Sequence, residues 1–300
     1  MVGYGSIGSR HAAILREKGQ TVACVTSRTD VPFPVFSTLE AALREFAPHR
    51  VIIANITVNH YSALLAIEKA AYRGPVLVEK PLFASVPAIV PTFSFQVLTA
   101  YNLRFHPLLL RIRELLCGRR VYSAQMSVGQ YLPTWRLGAD YRKSYSASAK
   151  LGGGVLRDLS HELDLALWLF GPWMEITARI GRWGDLEIDS ADCADILACM
   201  GNCASLSMHL DYQNLFPFRH IAIQAEGLSL AGDLLAGILR TDRNEEHFVV
   251  ERDTTYAAQL EAFLQGKFER MCSWLEGLAV LHFIEGLERC ATRRQWERKA

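Results

Sequence analysis

Three glycines near the start of the chain have a spacing that binds dinucleotides. The segment consists of Gly3, Tyr4, Gly5, Ser6, Ile7 and Gly8. In this pattern the first glycine makes a tight turn, the second lets a pyrophosphate approach the backbone, and the third lets helix and strand pack closely. The phosphates then lie against the N–H groups that open the next helix. Because a helical stretch and a β/α alternation follow, the pattern indicates dinucleotide binding rather than a simple glycine-rich turn.

The residues after the second predicted strand bear on the choice of cofactor. A carboxylate about 20 residues beyond the fingerprint normally holds the ribose 2′-OH of NAD. Thr26, Ser27 and Arg28 stand at that place. Two hydroxyls and a guanidinium suit a 2′-phosphate, to which arginine makes charge-assisted hydrogen bonds. We therefore favour NADP over NAD as the cofactor, and the alternative is that Arg28 is an ordinary solvated residue.

Lys80 stands at the end of a predicted buried strand. The apolar run Val76–Val78 leads into Glu79 and Lys80, and Pro81 follows. Open α/β sheets bind ligands outside the carboxyl ends of their strands. A lysine is usually a solvated surface residue, but here it closes an apolar strand and precedes a proline that fixes the backbone. We expect Glu79 and Lys80 to face the cofactor crevice.

An acid–base pair follows three consecutive glycines, Gly152–Gly154. Asp158 and His161 are three residues apart in a predicted helix over residues 156–169, so both side chains project from one face. Such a pair can tune an imidazole for general acid–base work. A helix salt bridge or a cap is the alternative.

These segments together resemble a known family. The stretches GYGSIGSRH, VEKPL and GGGVLRDLSHELDLALWLFG look like those of the Gfo/Idh/MocA oxidoreductases, NAD(P)-dependent enzymes acting mostly on sugars, inositols and sugar derivatives. The resemblance implies that Lys80 is the lysine of the EKP motif and that Asp158 and His161 are the catalytic pair. Many members separate that pair by three residues, and this chain by two. On a continuous helix the difference rotates His161 by about 100°, unless the segment begins as a non-helical turn.

The resemblance also implies binding residues on both sides of the reaction centre. Asn55, Thr57 and His60 match the segment that lines the nicotinamide side of the crevice, and Arg104 matches a substrate-facing strand end. An aromatic and arginine-rich segment precedes the catalytic pair, and its members are Tyr131, Trp135, Arg136, Tyr141, Arg142 and Tyr145. It resembles a branch associated with bacterial surface-sugar biosynthesis. Aromatic rings stack on sugars and arginine binds carboxylate or phosphate, so an acidic sugar or nucleotide-sugar is favoured.

The expected reaction is hydride transfer between a nicotinamide and a carbinol or keto carbon of a sugar, sugar acid, nucleotide-sugar or inositol-like substrate. His161 would take the hydroxyl proton, Lys80 would stabilise the alkoxide, and Asp158 would orient the substrate or the imidazole. Two alternatives stay open. One is a dinucleotide-binding regulator without turnover, and the other is a reductase of a non-sugar substrate on the same scaffold.

The elements that position these residues predict an α/β domain followed by an α+β domain. Residues 1–118 alternate apolar strands and helices, which predicts a Rossmann domain with a parallel sheet. Residues 119–300 predict an α+β domain with a large, mostly antiparallel sheet for substrate binding and oligomerisation. A C-terminal helix over residues 256–289 could pack back on the first domain. Only Met1 and Val2 precede Gly3, so we expect either a shortened central strand or a native start upstream.

Composition excludes several classes of protein. The chain has 300 residues, 50% hydrophobic and 21% charged, with a net charge of +1, which excludes a disordered chain. The charge balance argues against nucleic acid or an anionic membrane as partner. The seven cysteines fit neither a disulfide framework nor a common zinc spacing, so we expect no metal. No targeting or membrane segment is recognisable, and we expect a cytoplasmic homo-oligomer.

Overall fold

The chain folds largely as its alternation of apolar strands and helices predicts. The computed structural model describes residues 1–136 and 138–299. The strands are β1 (Cys24–Val25), β2 (Val35–Phe36), β3 (Val51–Ile53), β4 (Val76–Val78), β5 (Val97–Thr99), β6 (Val121–Gly129), β7 (Trp173–Gly181), β8 (Cys193–Met200), β9 (Cys203–Asp211), β10 (Phe218–Ala225), β11 (Leu228–Asp233), β12 (Ile238–Thr241), β13 (Glu245–His247), β14 (Cys272–Ser273) and β15 (Glu297–Arg298). The helices are α1 (Ser6–Glu17), α2 (Leu39–Glu45), α3 (His60–Lys69), α4 (Pro107–Leu116), α5 (Val155–Asp158), α6 (Ser160–Phe170), α7 (Thr254–Gln265) and α8 (Trp274–Arg293). No helix in these ranges is long and apolar enough to cross a membrane.

The N-terminal sheet is parallel except at one edge. Strands β3, β4 and β5 pair in parallel, and β14 adds to β5 antiparallel. Val2 pairs in parallel with Val25 on one side and with Ile53 on the other, and β2 extends the sheet beyond β1. Every residue of β3, β4 and β5 is buried, as expected for parallel strands covered on both faces. The predicted Rossmann arrangement is therefore confirmed.

The C-terminal part is built on a nine-stranded sheet in the order β13-β12-β11-β10-β6-β9-β8-β7-β15. Strands β6 and β9 pair in parallel, and the other neighbours pair antiparallel. On β8 the residues Ala194 and Ile196 are buried, whereas Asp195 and Leu197 are exposed. Helix α5 contacts β8 and β9, and α6 contacts β6. One face is thus covered by helices and the other is open, which confirms the predicted large, mostly antiparallel sheet.

The chain divides into two compact units that are not continuous in sequence. The first contains residues 1–105 and 252–281, and the second residues 106–251 and 282–300. Helix α4, which the predicted boundary near residue 118 placed in the first domain, lies in the second unit. The predicted C-terminal helix is wrong as one element, because α7 stops at Gly266 in a left-handed conformation and β14 precedes α8. The assignment of cofactor and substrate to separate domains stays a prediction.

Candidate active site

The glycine fingerprint forms an open cradle at the start of α1. Gly3 has a φ of +93°, and a Cβ there would lie 2.6 Å from the backbone nitrogen of Asn55, so only glycine fits. Gly8 packs against the carbonyl oxygen of Gly3, again without room for a side chain. A Cβ on Gly5 would meet no atom within 4 Å. The start of α1 has no side-chain cap, so its first N–H groups are available to a phosphate.

Asn55 lies beside this cradle and offers an acceptor that the protein does not use. Its Oδ1 is buried and has no hydrogen-bond partner among the described residues. Buried polar atoms are nearly always bonded, so a ligand hydroxyl or amide would satisfy this oxygen. Thr57 follows and is half-buried, at the start of an otherwise exposed 3₁₀ turn, Thr57–Asn59. The cradle and the orphaned oxygen together fit a dinucleotide.

His60 lies behind these residues, where it connects two loops. Its Nδ1 is 3.2 Å from the Pro81 carbonyl oxygen and 3.1 Å from that of Leu82, and its Nε2 is 3.2 Å from the Asn55 carbonyl oxygen. Burial lowers the pKa of His60, so the ring is neutral and donates from one nitrogen. His60 therefore holds the Asn55 loop against the residues after Lys80. A direct contact of His60 with cofactor stays a prediction.

Glu79 fixes the end of β4 against the fingerprint helix. Its Oε1 lies 2.6 Å from Nε2 of His11, and its Oε2 accepts a hydrogen bond from the Lys80 backbone N–H at 3.1 Å. His11 is fully buried on α1, with its ring edge-on to Tyr256. Lys80 itself is half-buried. His11 was not among the predicted site residues, although an imidazole on the buried face of α1 requires a polar partner.

Arg28 is held by a carboxylate that the sequence analysis did not consider. Its Nε and Nη2 donate to the two oxygens of Asp30, at 3.0 and 2.7 Å. Both side chains and Ser27 are exposed at the end of β1. A 2′-phosphate would therefore meet a guanidinium that already has a carboxylate partner.

Tyr4, between the first two glycines of the fingerprint, packs against Phe33. The two rings lie edge-on, with their centroids 6.1 Å apart.

In the second unit, Asp158 is the acceptor for two tyrosines. Its Oδ1 accepts a short hydrogen bond from the Tyr145 hydroxyl, and its Oδ2 accepts one from the Tyr212 hydroxyl at 2.6 Å. Asp158 is only 4% exposed. Burial, and then the Asp158 charge, raise the pKa of both tyrosines well above the usual value. The site thus holds a carboxylate and two protonated phenols, of which sequence analysis missed Tyr212.

The glycine run and a helix break position this group. A Cβ on Gly153 would overlap the Tyr145 carbonyl oxygen, so glycine permits the approach that brings Tyr145 to Asp158. Helix α5 ends at Asp158 and α6 begins at Ser160, because Leu159 has φ −96° and ψ 25°. The predicted continuous helix is wrong here, and the rotation calculated for it does not apply. His161 lies half-buried in the first turn of α6.

The aromatic and arginine-rich segment forms a small cavity. Trp135, Arg136 and Tyr141 are among the residues lining a space of about 260 Å³. The Trp135 ring lies edge-on to Tyr212, with centroids 5.2 Å apart. Tyr131 is half-buried and does not line this cavity. The structure therefore brings together three of the six residues predicted for this segment.

Arg104, the remaining predicted substrate residue, is buried in the first unit. It is 2% exposed, and its Nη1 donates to Oε1 of Glu276 at 2.7 Å. This ion pair gives Arg104 a structural role that the prediction did not include. A substrate contact by Arg104 stays a prediction.

Part of the chain matches a family model. Residues 118–226 match the GFO/IDH/MocA C-terminal domain. This range includes Asp158, His161 and both tyrosines that bond to Asp158. A comparison with curated proteins found no match. The family model therefore confirms the resemblance over residues 118–226.

Solved structures share the fold along the whole chain. GenD2 from gentamicin A biosynthesis, in complex with NAD, has a TM-score of 0.80 at 20% identity, with 100% of this chain and 95% of its own covered. The WlbA dehydrogenase from Bordetella pertussis, in complex with NADH and UDP-GlcNAcA, has a TM-score of 0.80 at 18% identity, with 100% of this chain and 97% of its own covered. Levoglucosan dehydrogenase, in complex with NADH and levoglucosan, has a TM-score of 0.83 at 16% identity, with 100% of this chain and 98% of its own covered. These TM-scores over the whole chain confirm the predicted fold class.

Proposed function

Because residues 118–226 form a GFO/IDH/MocA C-terminal domain, we propose that the protein is an NAD(P)-dependent oxidoreductase of sugar-type substrates. It would transfer a hydride to or from a carbinol or keto carbon. The main support is the cradle of the first unit, with open space over Gly5 and the orphaned Oδ1 of Asn55. Structural neighbours that carry NADH with UDP-GlcNAcA or levoglucosan support the same assignment.

The residues of the chain have distinct parts in this reaction. A bound nicotinamide would supply the redox chemistry. Lys80 would hydrogen-bond the reacting oxygen of the substrate and stabilise its negative charge. His161 would hold the proton that leaves the same hydroxyl. Asp158 already accepts hydrogen bonds from Tyr145 and Tyr212, so its part would be to orient these two phenol groups.

The choice of NADP rests on Arg28. The Arg28 pair with Asp30 uses Nε and Nη2, so Nη1 would donate to a 2′-phosphate. With NAD bound, the Asp30 carboxylate would instead accept a hydrogen bond from the ribose 2′-OH. Titration of the protein with NADPH and NADH separates these cases. If NADP is the cofactor, Arg28→Ala should weaken NADPH binding and leave NADH binding unchanged. If NAD is the cofactor, Asp30→Ala should weaken NADH binding.

An acidic sugar or nucleotide-sugar is the proposed substrate class. Arg136 and Lys143 bring positive charge to the cavity of about 260 Å³, and Trp135 brings an aromatic ring. These groups suit a carboxylate or phosphate attached to a sugar. The neighbour that carries UDP-GlcNAcA binds a ligand of this class, and a role in surface-polysaccharide synthesis would follow from such a substrate.

A homo-oligomer is part of the same proposal. The open face of the nine-stranded sheet is concave, with a space of about 500 Å³ that Thr177, Leu197 and His209 help to line, and Leu197 is 48% exposed. An open sheet face with an exposed apolar side chain is a candidate association surface. Light scattering on the purified chain measures the subunit number directly, and a monomer at all concentrations would contradict the proposal.

Turnover on a panel of sugars tests the activity. We expect nicotinamide absorbance to change with an acidic sugar or nucleotide-sugar, and Lys80→Ala to abolish turnover while dinucleotide binding persists. Lys69→Ala is the matched control, because Lys69 is exposed at the end of α3. Full turnover by Lys80→Ala would refute the role of Lys80. Cofactor binding without turnover on any substrate would favour the regulator, and turnover on non-sugar carbonyls alone would favour the second alternative.

A further inference from the structure

Two neighbouring strands of the nine-stranded sheet place four side chains of metal-binding types next to one another. Cys193 and Asp195 are two residues apart on β8, and His209 and Asp211 are two apart on β9, so each pair points to one face. The antiparallel register sets Cys193 opposite Asp211 and Asp195 opposite His209. Because residues opposite each other have neighbouring side chains, the four groups form one cluster on the open face.

The ligand atoms of this cluster converge. The Cys193 Sγ, a carboxylate oxygen of Asp195 and a ring nitrogen of His209 all lie within 4.8 Å of one another. His209 Nδ1 is 2.7 Å from Asp195 Oδ1, and its Nε2 is 3.0 Å from Asp211 Oδ2. Bond lengths of 2.0–2.3 Å around a tetrahedral zinc ion separate its ligand atoms by about 3.5 Å. Side-chain shifts of about 1 Å would therefore close the site.

The electrostatics of the cluster favour a cation. Cys193 is buried beside the carboxylates of Asp195 and Asp211, and a metal ion bound there would keep its thiol deprotonated. The other oxygen of Asp211 is held by the backbone N–H groups of Gln213 and Asn214. That leaves Oδ2 of Asp211 on the side of His209.

We propose that Cys193, Asp195 and His209 bind a divalent transition metal, zinc first, with Asp211 or a water molecule as the fourth ligand. Thiolate, imidazole and carboxylate groups all bind zinc in proteins. The bound ion would link the ends of β8 and β9. Tyr212, which donates to Asp158, follows directly on Asp211, so the metal would stabilise the strand end that presents this tyrosine.

Cobalt is the spectroscopic probe for this site. The full-length chain is freed of metal with a chelator and titrated with Co²⁺, and its absorption spectrum is recorded. We expect one saturable binding event with a thiolate-to-cobalt charge-transfer band, which added Zn²⁺ removes. Cys193→Ser should abolish the band. Cys199→Ser is the matched control, because Cys199 lies further along β8 on the same face, and it should keep the band.

The other ligands provide a measure that does not depend on the cysteine. Asp195 is exposed, so Asp195→Asn should fold normally, as thermal unfolding without metal would verify. Removal of an outer-shell partner weakens metal binding by about 10- to 100-fold, and loss of a direct ligand should cost at least that much. Asp195→Asn and His209→Gln should each weaken Co²⁺ binding by at least tenfold. Absence of the thiolate band in the wild type, or its persistence in Cys193→Ser, would overturn the proposal.

Discussion

Alanine at position 5 separates cofactor binding from folding. Gly5 has φ −83° and ψ −162°, which any residue adopts, and its Cβ would meet no atom within 4 Å. A Gly→Ala change at a compatible position stabilises a protein by about 0.4–1 kcal/mol, because the unfolded chain loses freedom. We therefore expect Gly5→Ala to unfold at the same temperature as the wild type or slightly above it. The new methyl would occupy the space through which the pyrophosphate passes.

The size of the binding defect follows from mass action. A ligand at one hundred times its Kd stabilises the folded state by about 2.7 kcal/mol. If the methyl weakens binding tenfold, the same ligand concentration stabilises Gly5→Ala by only about 1.4 kcal/mol. Thermal unfolding with and without NADPH or NADH measures both quantities in one experiment. An undiminished ligand-induced shift in Gly5→Ala would refute the passage of the phosphates over Gly5.

Gly3→Ala is the contrasting variant. Its φ of +93° and the 2.6 Å approach to Asn55 make alanine strained by about 1–3 kcal/mol. The melting temperature should therefore fall without any ligand. Within one motif, Gly5→Ala is thus expected to weaken dinucleotide binding, whereas Gly3→Ala is expected to destabilise the fold.

Three further variants test buried polar contacts. Tyr212→Phe removes a donor from Asp158 and should lower the free energy of unfolding by about 1–3 kcal/mol in urea titrations. His11→Ala leaves Glu79 without its partner, and we expect a similar loss together with weaker dinucleotide binding. Burial lowers the pKa of His106 to about 4 from 6.5. Between these pH values the unfolded chain therefore binds a proton that the folded chain does not. Stability should fall by on the order of 3 kcal/mol from pH 6.5 to 4, and His106→Gln should remove that dependence.

Each of these variants has a control on the surface. Tyr122→Phe, His49→Ala and His220→Gln alter exposed side chains of the same types. They should leave the free energy of unfolding and its pH dependence unchanged. Equal stability of Tyr212→Phe and the wild type, unchanged dinucleotide affinity in His11→Ala, or an unaltered pH profile in His106→Gln would contradict the corresponding assignment.

The fold was predictable where local signals and periodicity agree. Helix α4 spans Pro107–Leu116, because a proline opens it and Gly118 follows its end. Strands β12 and β13 carry little local signal, because they are only four and three residues long. The break at Leu159 has no sequence signal, since residues 155–170 keep a continuous apolar helical pattern. The Val155 N–H donates to the Ala191 carbonyl oxygen, a contact that depends on tertiary structure.

The candidate site was predictable to the level of residue types. The fingerprint glycines, Lys80 and Asp158 were found because turns, strand ends and helix starts carry local patterns. Their partners were not found, because His11 meets Glu79 and Tyr212 meets Asp158 across 68 and 54 residues of chain. Hydrogen bonds over such separations are set by sheet register and helix packing, which one sequence does not encode locally.

The discontinuous division of the chain has a consequence for exchanging parts between relatives. The polypeptide passes from one unit to the other three times, after residues 105, 251 and 281. Residues 1–105 expressed alone would lack Leu260 and Phe263, which belong to the hydrophobic core of the first unit. The last passage lies inside α8, where one inserted residue turns the following half-helix by about 100°. A chimera that takes its second unit from a relative therefore needs three junctions, and the third must preserve helical phase.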